Sequence, residues 1–212
     1  MTITTAKWSL DDYHQMIAAN ILVGRQVELL NGEIIEMAPE GPEHAQISTD
    51  AADYLRALLG TEALVREAKP ITLPNSHSEP EPDIAIAQPL RALYRTRHPH
   101  PENIFWLIEY ANTSWLKDSE VKRQAYASAN IQEYWIVTLK LRQVVVLRQP
   151  EQGDYQQALT LNQGILSPQS FPEVEISIQR LIRRISQPLG SCQKPSFLTG
   201  KSLQLDIAKL QN

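Results

Sequence analysis

The chain predicts an α/β fold, with a central sheet packed by helices, and three observations predict it. An Asn31-Gly32 pair between two short apolar runs marks a β-hairpin near the start. The stretch Ile104–Ala111 is apolar at both parities, as a strand covered on two faces requires. Two segments with helical periodicity, 43–59 and 115–129, flank that strand in the sequence and supply its covering layers.

The elements follow in order. Ser9 caps a leading helix over 9–19, with Asp11 and Asp12 in its first turn and Tyr13, Met16 and Ile17 at helical spacing. In a two-residue hairpin over 27–37, Leu30 faces Glu33 and Glu28 faces Ile35, so Glu28 shares a face with Ile35 and Met37. After Pro39 and Pro42, the helix over 43–59 aligns His44, Ile47, Ala51, Leu55 and Leu58 on one packing stripe, and Gly60 ends it. Residues 63–73 read as extended, 74–82 as a turn-rich loop and 83–87 as a short strand. The connection 88–103 contains Pro and Arg and lacks periodicity. Beyond the buried strand and the helix over 115–129, Glu133–Thr138 and 143–148 form a closing pair of strands. Residues 155–161 add an edge strand and 174–185 a final helix. Residues 1–185 are expected to form a single domain; 186–212, with Pro188, Gly190, Pro195 and Gly200, read as a tail.

Composition bounds the function classes. With 42% apolar and 21% charged residues in 212, the chain can bury a core. Cys192 stands alone, which excludes an intrachain disulfide and a Cys-rich zinc site and suits a reducing compartment. No apolar run approaches the roughly 20 residues that span a bilayer. No secretion signal is recognisable at the start, so a cytoplasmic protein without a membrane partner is expected. A net charge of −4 argues against static binding of nucleic acid by phosphate neutralisation alone. It is compatible with a carboxylate cluster whose charge a bound cation cancels.

Chemistry requires hard oxygen ligands from different strands, with a cation nearby, if a divalent metal is to act on phosphate. Asp83 opens a strand and Glu109 sits near the end of the buried one, where an ionised group is costly unless paired or metal-bound. Either residue alone is more often a solvated strand end or half of an ion pair. Lys122 shares the apolar arc of its helix with Val121, Ala125, Tyr126 and Ala129, so it is aimed inward and needs a partner. One reading is an i,i+4 pair with Asp118, and the other is contact with Asp83 and Glu109; spacing by itself favours the first. His98 and His100 with Arg91, Arg95 and Arg97 make either a basic patch for a phosphate backbone or a solvated loop. Ser114 has no nucleophile-elbow context, and no Gly-rich phosphate loop occurs.

The segments Glu79-Pro-Glu-Pro-Asp83-Ile-Ala-Ile, Pro101-Glu-Asn-Ile-Phe-Trp-Leu-Ile-Glu109, Asp118-x-x-x-Lys122-x-x-x-Tyr126-Ala and Ile131-Gln-Glu-Tyr-Trp-Ile-Val together resemble a bacterial family of restriction-endonuclease-like proteins. The hairpin Val27-Glu28-Leu29-Leu30-Asn31-Gly32-Glu33 and His44 resemble its amino-terminal pattern, and the likeness covers 11–182. That family is similar to the PD-(D/E)XK nuclease superfamily, which implies a central mixed β-sheet flanked by helices. The resemblance implies that Asp83, Glu109 and the Tyr110 carbonyl ligate Mg²⁺ or Mn²⁺, with Asp83, Glu109 and Lys122 as the catalytic set. Glu28, His44 and Tyr126 would support them, His44 either near the ligands or as a structural histidine. The superfamily's lysine two residues after the glutamate is Ala111 here, so the resemblance transfers its role to Lys122 on the next helix. The family's usual polar and acidic run after the glutamate is Tyr110-Ala-Asn-Thr-Ser114, with Ala111 and Asn112 beside the site.

Two functions are therefore expected to compete. One is a Mg²⁺-dependent endonuclease that hydrolyses DNA phosphodiester bonds. The other is a nuclease-fold module, weakened or inactive, that binds nucleic acid or protein. By analogy with the superfamily, a homodimer is the expected assembly for cutting two strands.

Overall fold

Six strands build the central sheet in the order β3-β4-β5-β6-β7-β8, and only β5 and β6 run parallel. The computed structural model describes residues 5–111 and 115–182, without the side chains of 115–119. The strands are β3 (Leu64–Glu67), β4 (Ile84–Ala87), β5 (Ile104–Ala111), β6 (Glu133–Thr138), β7 (Gln143–Glu151) and β8 (Asp154–Leu161). The parallel pair is joined by the crossover helix α3 (Trp115–Ser128), since parallel neighbours cannot be linked by a tight turn.

Alternation along the strands feeds two cores. Ile84, Ile86, Trp106, Ile108, Trp135 and Val137 pack under α2 (Pro42–Leu59) and α4 (Ile178–Ile182). The opposite parity, Ala85, Ala87, Leu107, Tyr134 and Ile136, packs with Ala125 and Tyr126 of α3. Both faces are thus covered, and every residue of β6 is buried. Glu109 has the parity of Leu107 and therefore belongs to the α3 face.

Ahead of the sheet, α1 (Leu10–Ala18) is capped by Ser9, whose side chain and backbone exchange hydrogen bonds with Asp12. Its Tyr13 hydroxyl donates to the Val27 carbonyl at 3.1 Å, tying α1 to the hairpin of β1 (Val27–Leu30) and β2 (Glu33–Glu36). The hairpin has the expected register, Glu28 opposite Ile35 and Leu30 opposite Glu33. Asn31 and Gly32 both have positive φ, 50° and 72°, the combination an Asn-Gly turn supplies at little strain. A Cβ on Gly32 would stand 3.0 Å from the Trp8 carbonyl oxygen. The Glu79 N–H donates to the Leu29 carbonyl at 2.7 Å, which docks the hairpin on the loop that leads to β4.

Several elements differ from expectation. Extended structure in 63–73 is confined to β3, because Ala68 turns to φ 44° and donates its N–H to the Asp83 carbonyl. Asp83 lies one residue before β4 rather than in it. Leu59, four residues after Leu55, takes the buried position expected for Leu58, which is exposed. Val121 is exposed as well, although Ala125 and Tyr126 of the same arc are buried. The two-stranded pair β9 (Ile165–Leu166) with β10 (Ile176–Ser177) has no counterpart in the expected elements, and α4 begins only at Ile178. The expected helix end over 183–185 and the tail 186–212 lie outside the described residues. Among the described residues no helix is long and apolar enough to cross a membrane.

Candidate active site

The antiparallel pairing of Ile84 with Ile108 brings Asp83 alongside Glu109 at one end of β4 and β5. Asp83 Oδ2 accepts the Tyr110 N–H at 2.6 Å, which fixes one carboxylate oxygen against the strand. Both residues line a cleft of about 770 Å³ between the hairpin, the start of α2 and α3. Glu28, Ile35 and Met37 line it too, the three residues that the hairpin register assigns to one face.

Lys122 enters this cleft from α3. Its Nζ stands 3.1 Å from Glu109 Oε1 and 3.1 Å from Glu28 Oε2, so one ammonium serves two carboxylates. The Tyr126 hydroxyl, one turn further along α3, donates to Glu109 Oε1 at 2.8 Å. The Glu81 N–H donates to Glu28 Oε2 at 3.2 Å. The alternative partner of Lys122, the Asp118 side chain, lies outside the described residues, as do Asn112 and Ser114.

The charges do not balance. Among the described residues, the carboxylates of Glu28, Glu36, Glu40, Glu81, Asp83 and Glu109 line the cleft with one lysine, Lys122, and Glu36 is paired outside it with Arg25. Burial pushes the Glu109 carboxyl up to about 7; Lys122 opposes the rise, while Asp83 and Glu28 add to it. Burial alone would lower the Lys122 ammonium, but Glu109 and Glu28 outweigh it and hold the lysine charged well above its ordinary value. Burial, and then Glu28, raise Glu81. The Tyr126 hydroxyl is pushed well up by burial and then by Glu109, so it stays protonated and donating. Oxygen ligands with excess negative charge are the donor set that suits a divalent cation.

His44, in the first turn of α2, reaches the same end of the cleft. Its Nε2 lies 3.3 Å from Asp83 Oδ1, and its ring packs against Tyr110 with centroids 5.8 Å apart. Burial disfavours its charge, but Asp83, then Glu40 and Glu109, raise it overall. Glu40, His44 and Asp83 each offer a ligand atom, and the three lie within 4.8 Å of one another.

The structure thus brings together Asp83, Glu109, Lys122, Glu28, His44, Tyr110 and Tyr126. The three arginines are elsewhere, on the 88–103 connection, and none lines the cleft. Arg97 is engaged locally, donating to the His98 carbonyl at 3.0 Å and to Asn103 Oδ1 at 3.1 Å, whereas Arg91 and Arg95 are exposed. Two acidic members, Glu40 and Glu81, are not singled out by the sequence, although Glu81 lies within the Glu79-Pro-Glu-Pro-Asp83 stretch. Both sit in irregular backbone, where no periodicity announces which way a side chain points.

A mixed sheet of this order, with a hairpin and an acidic cleft holding an inward lysine, defines a restriction-endonuclease-like fold. Its fold is similar to that of a solved protein described as "a putative nuclease belonging to DUF820" from Anabaena variabilis, with a TM-score of 0.62 and 16% identity, over 82% of this chain and 96% of that one. The chain belongs to the Uma2 family, described as "Putative restriction endonuclease", whose model matches residues 10–179. No curated protein matches it.

Proposed function

We propose that the chain is a metal-dependent endonuclease of the PD-(D/E)XK kind that hydrolyses DNA phosphodiester bonds. The observation that carries this reading is the contact of Lys122 with both Glu109 and Glu28 beside Asp83. It supplies from α3 the cation that Ala111, two residues after the glutamate, lacks.

Asp83, Glu109 and the Tyr110 carbonyl are the residues that hold Mg²⁺ or Mn²⁺. When bound, the ion supplies Lewis acidity toward the phosphate and the attacking water. The residues of the chain do the rest. The Tyr110 N–H occupies Asp83 Oδ2 and leaves Oδ1 toward the cleft. Lys122 and Tyr126 both act on Glu109 Oε1 and orient that carboxylate, while no hydrogen bond reaches Oε2 among the described residues. Lys122, kept cationic by its two carboxylates, offsets the charge that develops on the phosphate as the bond breaks. Pairing of two chains would let two such sites cut both strands.

The test is cleavage of supercoiled plasmid and single-stranded DNA with Mg²⁺ or Mn²⁺. Wild type is expected to cut, Asp83→Asn to be inactive, and Lys122→Met to lose roughly 10²–10³-fold, the usual effect of removing one charge-stabilising group. Wild type without activity under either metal would leave the binding-module reading in its place. Activity surviving in both variants would refute the residue assignment.

A further inference from the structure

We infer that the cleft selects a strand whose base beside the cut is unpaired, and that Ile35 and Met37 of the hairpin and Val121 of α3 are the walls that hold this base. The inference rests on the nuclease reading and narrows its substrate, from DNA to DNA that is single-stranded at the point of cleavage.

The acidic cluster accounts for only part of the cleft. Ile35 and Met37 share the hairpin face with Glu28, are half-buried, and line the cleft without joining any of the hydrophobic cores. Val121 lines it from α3, where it is 38% exposed although it precedes the inward Lys122. The two walls are held in register by the ion pair of Lys122 with Glu28, Nζ to Oε2 at 3.1 Å. Apolar side chains thus stand open on both sides of the carboxylates and lysine that would receive the phosphate. Leaving such surface to water is unfavourable, and a ligand that covers it gains what the free protein forgoes.

Of the parts of a nucleic acid, only a base fits these walls, because phosphate and sugar are polar. Within a duplex both faces of each base are covered by its stacked neighbours. An unpaired base can lay a face against aliphatic side chains, and a paired one must first be extruded, at the cost of unstacking and unpairing. The cleft volume of about 770 Å³ is that of a small-ligand site, suited to a nucleotide and its neighbour. Met37 is unbranched and polarizable and adapts to any base, so the walls select for unpairing rather than for sequence.

One oligonucleotide sequence offered with Mg²⁺ or Mn²⁺ as a single strand, as a blunt duplex and as a duplex with a single-stranded flap tests this. Single strand and flap should be cut at least tenfold faster than the blunt duplex. An abasic nucleotide beside the cut should raise KM for the single strand about tenfold, the order of one lost stacking contact. Met37→Ser and Val121→Ser remove side chains that are not in a core. Each should raise KM for the intact strand several-fold with kcat little changed, and neither should affect the abasic strand, from which the contact is already missing. A purely structural role would change both strands alike. A blunt duplex cut as fast as the single strand, or a KM unmoved in both variants, would overturn the inference. Anisotropy of fluorescein-labelled single strand and duplex, with Ca²⁺ in place of Mg²⁺, separates it from the nuclease reading. Wild type that prefers the single strand in binding but cuts nothing would end the nuclease reading and leave the base walls standing. Wild type that cuts but binds both forms equally would do the reverse, and one that neither cuts nor prefers the single strand would end both.

Discussion

Neighbouring strands β5 and β6 each carry an inward glutamate, Glu109 partly buried and Glu133 fully buried, and the two carboxylates are provided for in opposite ways. Glu133 is fully buried and saturated: Oε1 accepts from Trp135 Nε1 at 2.9 Å and from the Arg148 guanidinium at 2.6 and 2.8 Å, and Oε2 accepts the Gln169 N–H at 2.7 Å. Glu109 has a lysine that it shares with Glu28, one tyrosine hydroxyl, and the Asp83 carboxylate alongside. A buried carboxylate with its own guanidinium and a full set of donors is a fastening in the sheet. One that divides a single ammonium with another carboxylate is left with negative charge that a bound cation can neutralise.

The comparison breaks most visibly on the saturated side. Arg148→Met leaves Glu133 buried without its cation and is expected to cost about 3–5 kcal/mol. At roughly 2–4 °C per kcal/mol for a chain of this size, thermal denaturation should show a fall of about 10 °C. Cleavage by the folded protein should persist. A shift under about 2 °C would mean that Glu133 is no better provided for than Glu109.

A second distinction is in pH. An unfolded glutamate titrates near 4.5 and the folded Glu109 near about 7. Between those values the folded protein binds the extra proton, so this group stabilises the metal-free fold most below 4.5 and loses that contribution as pH rises through about 7. Urea denaturation in chelator should show that downward slope in wild type and a flatter profile in Glu109→Gln. Equal slopes would place the surplus charge elsewhere.

The smallest expected effect sharpens the site itself. Tyr126→Phe removes one hydrogen bond to Glu109 Oε1, worth about 1 kcal/mol. Cleavage should fall several-fold with little change in Tm. An unchanged rate would make Tyr126 a packing residue only.

Much of this contrast is legible in the sequence, and the parts that are not share a cause. The Asn31-Gly32 turn fixes hairpin register, so the residue pattern by itself assigns Glu28, Ile35 and Met37 to one face. The two-parity hydrophobicity of β5 places it in the centre of the sheet, and the inward arc of α3 singles out Lys122. These signals are local and periodic. Periodicity fails at Val121, because the stripe of α3 does not fill the space where the cleft opens. It says nothing about Glu40 and Glu81, whose directions are set by loop backbone and long-range contacts. Nor can it show Glu133 as saturated, since Arg148 and Gln169 reach it only through strand pairing and the segment beyond β9.

On the proposed reading Glu109, unlike Glu133, carries charge that a metal neutralises. The most direct test is the Tm of wild type, Glu109→Gln and Glu133→Gln in chelator and in excess Mn²⁺, above the pH at which Glu109 titrates. Glu133→Gln is predicted to melt well below wild type and to keep the full Mn²⁺-induced rise. Glu109→Gln should melt at or above wild type in chelator and lose part of that rise. A Glu109→Gln protein that melts low in chelator and responds to Mn²⁺ as fully as wild type would contradict the metal role of Glu109.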